Sequence, residues 1–122
     1  MFRIDEVSGD ITLTQGDTGQ YPVEGIPTDK DYRVYLAVQN NKRKQVGAQI
    51  YTNSNYSDFV TLKIADTLTD LLTVKTTEET AEYYFGIKIC DDEGNEDTLI
   101  IGDKEEGEFN IITVYPKKVE GD

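Results

Sequence analysis

The sequence predicts an all-β protein, an antiparallel β-sandwich of about seven to nine short strands with a single short helical turn near residues 66–72. Three observations carry that prediction. Apolar and polar residues alternate with a period of two in segment after segment, each bounded by Gly, Asn, Asp or Pro. No long stretch carries the three-to-four spacing of an amphipathic helix. The chain has eight tyrosines and no tryptophan, and tyrosine suits strands that meet water on one side. At 122 residues it reads as one domain over residues 1–116, with 117–122 as a loose tail. A chain of that length buries roughly two-thirds of its unfolded surface, enough for one core.

In order, Phe2-Arg3-Ile4-Asp5 and Ile11-Thr12-Leu13-Thr14 flank Ser8-Gly9-Asp10 and read as a hairpin. Gly16-Asp17-Thr18-Gly19 is a turn before a short edge piece around Tyr21 that Pro22 limits. Residues 25–31 form a loop. Residues 31–39 place Tyr32, Val34, Leu36 and Val38 on one face. A basic turn over 40–44 leads to a strand carrying Val46, Ala48 and Ile50, then to a polar loop over 52–58. Val60, Leu62 and Ile64 point inward from the next strand. Leu68, Leu71 and Leu72 share one side of the helical turn, and residues 73–77 fit either its continuation or a strand. Three strands follow, over 83–90, 97–101 and 108–115, until Pro116 stops the last.

Composition narrows the chemistry. Twenty-four acids against twelve bases give a formal net charge of -12, which disfavours direct contact with nucleic-acid phosphates. The absence of histidine removes the usual general base near neutral pH and the commonest metal ligand. The single cysteine, Cys90, allows no internal disulfide, which fits a reducing compartment, and it reads as a small packed hydrophobe. The start of the chain does not read as a signal peptide, and no apolar run is long enough for a membrane helix. No acid pair stands out for hydrolysis, so the expectation is a protein that is not an enzyme and uses no cofactor or metal.

The charge is uneven. Between Glu78 and Glu108 stand twelve acids, opposed only by Lys88 and Lys104. Glu78, Glu79, Glu82, Asp91, Asp92, Glu93, Glu96 and Asp97 are therefore candidate surface residues. Three readings compete: a solvated surface, a surface that steers a basic protein partner, and mimicry of nucleic-acid phosphates. Asp91-Asp92-Glu93-Gly94-Asn95 lacks the alternating spacing of a calcium loop and reads as a hairpin turn. Lys42-Arg43-Lys44 is the one basic cluster, either a solvated tip or a counterpart to the acidic face of another copy. Tyr35, Tyr51, Tyr56 and Tyr84 are candidate contact aromatics.

Glu79-Thr80-Ala81-Glu82-Tyr83-Tyr84-Phe85 resembles the immunoglobulin strand that ends in Tyr-Tyr-Cys, with Phe85 in the place of the cysteine. This gives the sandwich an Ig-like form. Tyr83 is then the candidate for a bond back to the corner backbone, although a plain aromatic strand fits equally. Gly86 would allow a close neighbour. Asp10 to Thr18, Asp66 to Leu71, Tyr83 to Ile89, Asp97 to Ile100 and Gly107 to Ile111 together resemble small Ig-like domains of tailed-bacteriophage virion proteins, including the amino-terminal domain of upper baseplate proteins. The resemblance implies a structural or assembly protein of the tail, baseplate or capsid, made in the bacterial cytoplasm and located in the virion. Its expected partners are other virion proteins and further copies of itself. The family continues into a stalk where this sequence reaches Asp122, which favours a small stand-alone component. The runner-up is an acidic phage inhibitor of a nucleic-acid-binding host protein, a DNA mimic, and a carbohydrate-binding sandwich ranks third.

Overall fold

A computed structural model describes residues 1–118; the part of the expected tail over 119–122 lies outside them. The described residues form nine strands and one helical turn: β1 (Phe2–Ile4), β2 (Ile11–Thr14), β3 (Gly19–Glu24), β4 (Arg33–Gln39), β5 (Ile50–Asn53), β6 (Phe59–Ile64), α1 (Asp66–Thr69), β7 (Ala81–Cys90), β8 (Glu96–Leu99) and β9 (Asn110–Tyr115). The larger sheet runs β1-β2-β9-β7-β4-β5, with β8 also on β7, and the smaller sheet is β3-β6. All pairs are antiparallel except β2 with β9. The result is an all-β, sandwich-like fold with one short helical turn.

Alternation explains the layers, because successive strand side chains face opposite ways. Val34, Leu36 and Val38 on β4 and Phe85, Ile87 and Ile89 on β7 are buried against Tyr21, Val23, Val60, Leu62 and Ile64 of the smaller sheet. At the centre, the rings of Tyr21 and Phe85 meet edge to face at 5.4 Å. They join β3 of the smaller sheet to β7 of the larger one.

The corner before β7 is tied by a hydrogen bond. Tyr83 Oη donates to the carbonyl of Thr73 at 2.7 Å, fixing the irregular segment that follows α1. Tyr83→Phe should cost about 1 kcal/mol and lower the melting temperature by roughly 4 °C. An unchanged thermal unfolding midpoint would show that the bond contributes nothing.

Several local expectations are corrected. The strand expected around 46–50 begins only at Ile50 and runs through Asn53, taking in two residues of the expected loop. Gly47 is the reason: its φ of +70° breaks the extended run. Residues 73–77 form no strand. Leu68 and Leu72 enter the core, but Leu71 is 50 % exposed, since the helical turn is too short to turn three leucines inward. Pro22 does not cut β3 short. In a two-stranded sheet each strand has an open edge, where a missing N–H is tolerated.

Candidate functional site

The register separates what the sequence places together. Gln39 pairs with Tyr84 and Arg33 with Cys90, so β4 and β7 run from one pole of the sandwich to the other. Glu78, Glu79 and Glu82 lie where β7 begins, at the pole of the 40–44 turn. Asp91, Asp92 and Glu93 lie where it ends. A ten-residue strand spans roughly 30 Å, and Glu96 and Asp97 sit on β8 beside its far half. The eight candidate acids are therefore two groups, and the other four acids of the region, Asp103, Glu105, Glu106 and Glu108, lie in the 100–109 loop, which joins β8 to β9 beside the middle of β7. Lys42, Arg43 and Lys44 stand opposite the second group but share a pole with the first.

The far pole is held by Asp91. Its carboxylate accepts from the backbone N–H groups of Glu93 at 3.0 Å and Asn95 at 2.9 Å, from the Asn95 amide at 3.1 Å and from Lys30 Nζ at 3.2 Å. Gly94, at φ +87°, completes the turn. These bonds, with Asn95 foremost and Lys30 contributing, hold the Asp91 carboxyl down at about 2. A depressed acid stabilises the fold above its unfolded value near 4 and loses that contribution as pH falls towards 2. The melting temperature should thus fall between pH 4 and 2, and Asp91→Asn should flatten that part of the profile. Parallel profiles for both proteins would refute the assignment. Among the described residues no group of three or more acids or thiols is placed to hold a metal ion.

The aromatic candidates converge on the outer face of the larger sheet. Tyr35 and Tyr51 are register partners with rings 5.7 Å apart, and Tyr84 meets Phe109 at 6.1 Å. Tyr56 lies elsewhere, in the loop at the acidic far pole, lining a depression with Asp29, Asp92 and Glu93. Phe109, which sequence reasoning passed over, joins the face because the 100–109 loop returns over it.

Cations cover these rings. The guanidinium of Arg33 lies 5.1 Å from the Tyr51 ring centre, that of Arg43 5.9 Å from Phe109, and Lys88 Nζ 5.8 Å from Tyr35. Such placements are attractive because a ring face is electron-rich. Lys88 also pairs with Glu96 at 3.4 Å, whereas neither arginine pairs with a carboxylate among the described residues. Arg43 takes φ 61°, a left-handed conformation that costs a non-glycine residue roughly 1–2 kcal/mol. Asn40 supports it by accepting from the N–H groups of Lys42 and Lys44.

At the middle of this face Ala37 and Gly86 are direct register partners. The two smallest side chains thus meet across the ladder and leave a hollow of about 250 Å³, rimmed by Tyr35, Gln39, Gln49, Lys88 and Phe109. The close neighbour expected at Gly86 is missing, since a Cβ there would meet no atom within 4 Å. No carboxylate stands among the outward residues at the centre (Arg33, Tyr35, Ala37 and Gln39 on β4; Tyr84, Gly86 and Lys88 on β7; Tyr51 on β5). Glu82 and Glu96 mark its two margins. No protein-family model matches the chain, and no curated protein is similar to it in sequence. Among the described residues no helix is long and apolar enough to cross a membrane.

Proposed function

We propose that this protein is a non-enzymatic structural or assembly component of a bacteriophage virion, in the tail, baseplate or capsid, acting through protein–protein contacts. One observation carries the contact reading: a chain of net charge -12 keeps the centre of one sheet face free of acids and furnishes it with tyrosine, phenylalanine and arginine. Those residues are enriched in the buried centres of protein interfaces, where acids are depleted. The assignment to a virion rests on the sequence resemblance. Peptide mass spectrometry of purified phage particles should find this chain at stoichiometric level, and recovery only from the particle-free lysate would exclude the reading.

The acidic inhibitor draws less support. Phosphate mimicry needs regularly spaced carboxylates on one face, and here Glu78, Glu79 and Glu82 stand at the opposite end of β7 from Asp91, Asp92 and Glu93. A saccharide ligand would find tilted rings capped by cations in place of an open stacking platform.

A further inference from the structure

Resting on that reading, we infer that the hollow over Ala37 and Gly86 receives a second copy of this same chain, and that the inserted part is the edge formed by the β1–β2 turn and the start of the 100–109 loop. Two of the most exposed aliphatic side chains project there, Val7 at 69 % and Ile100 at 57 %. Neither is left out by accident of a loose loop. Asp5 accepts from the N–H groups of Val7 and Ser8, both at 2.9 Å, and fixes the turn that presents Val7. Gly102 packs so closely on the carbonyls of Val7 and Ser8 that any Cβ would overlap them, which holds the start of the loop against the same turn.

The two surfaces complement each other in shape class and in charge. The hollow has Ala37 and Gly86 at its floor and Tyr35, Phe109 and glutamines at its rim, and is flanked by Arg33, Arg43 and Lys88, the last of these paired with Glu96. The projecting edge is aliphatic at its tip and carries Asp5 and Glu6 beside Val7 and Asp103 beyond Ile100. Contact between two hollows would set like charges against each other, whereas edge into hollow joins opposite charges. The pairing is heterologous: each copy uses a different surface from its neighbour, and each still offers one free hollow and one free edge. Such a contact continues into a ring or a filament.

Sedimentation velocity of the full chain over a concentration series tests this. The wild type should grow past the dimer as concentration rises. Gly86→Leu fills the hollow, and its folding should be intact because the site is open and the backbone there is ordinary strand; an unchanged melting temperature checks this. It should stay monomeric alone. Val7→Lys/Ile100→Lys, which spoils the edge, should also stay monomeric alone. An equimolar mixture of the two variants should form dimers and stop there, since only one intact hollow and one intact edge can meet. Assembly of the edge variant by itself would overturn the pairing in favour of another contact, and a wild type that stays monomeric throughout would overturn self-association. In that last case, loss of Gly86→Leu from phage particles would keep the proposed function and assign the hollow to a different virion protein. Absence of the wild-type chain from particles would remove the function itself.

Discussion

Phe85→Ala should cost about 3–5 kcal/mol, the range for emptying a large aromatic site in a packed core. Phe85 is 1 % exposed in the middle of β7, hydrogen-bonded in register between Val38 of β4 and Asn110 of β9. Its ring is the one that Tyr21 meets from the opposite sheet. Removing it deletes apolar burial, leaves a cavity, and strips the edge-to-face contact from Tyr21, a pair worth about 0.5–1.5 kcal/mol beyond its burial. Burial also pushes the Tyr21 hydroxyl up, with Asp10 adding to it, so a wet cavity beside Tyr21 should bring its titration back towards normal. Domains of this kind hold about 5–15 kcal/mol in total, and urea unfolding will read the loss directly. Phe85→Leu should cost clearly less. Equal losses for alanine and leucine would mean that ring geometry, not volume, dominates.

Asp10→Ala should cost about 2–3 kcal/mol, as expected when a partly buried charged acceptor loses several donors. Asp10 Oδ1 accepts from the N–H of Ile111 at 2.9 Å and from Asn110 Nδ2 at 3.2 Å, while Oδ2 pairs with Lys104 Nζ at 3.1 Å. Asn110 Nδ2 also donates to Ser8 O at 3.0 Å, and Tyr21 Oη to Gly9 O at 2.6 Å. The β1–β2 turn, the start of β9 and the 100–109 loop are thus fastened at one residue. Asp10→Asn keeps a carbonyl oxygen for Ile111 but loses the charge opposite Lys104, and should fall between wild type and alanine. A loss below about 0.5 kcal/mol, the floor for a single net hydrogen bond, would show that water replaces these bonds without penalty.

The contrast between these two residues shows what the sequence made legible. Phe85 could be assigned to the core because its neighbours alternate, and strand alternation is a local property. Asp10 reads in sequence only as a turn residue after Gly9. Nothing local announces that its acceptors serve residues about a hundred positions away. The candidate surface behaves similarly. Tyr35, Tyr51 and Tyr84 were recognisable as outward aromatics, but the hollow depends on Ala37 facing Gly86, and register between strands far apart in the chain is set by the whole sheet. The acidic residues misled for a related reason, since contiguity in sequence becomes separation in space once β7 is extended between them. Gly47 carries a local signal of its own: a glycine inside an apparent alternation marks a break.

The parallel pairing of β2 with β9 has a consequence for synthesis. Ile11 pairs with Ile4 on one side and Ile112 on the other, so β9, the latest in the chain of the described strands, is an interior strand of the sheet, flanked by β2 and β7. Until it emerges, the amino-terminal hairpin has no sheet to join and β7 has an unfilled edge along its first half. Pairings between segments so distant in the chain form slowly, and open edges are where chains stick to one another. A ribosome-bound chain stalled before Asn110 would present both edges at once, so the larger sheet closes only when β9 has emerged.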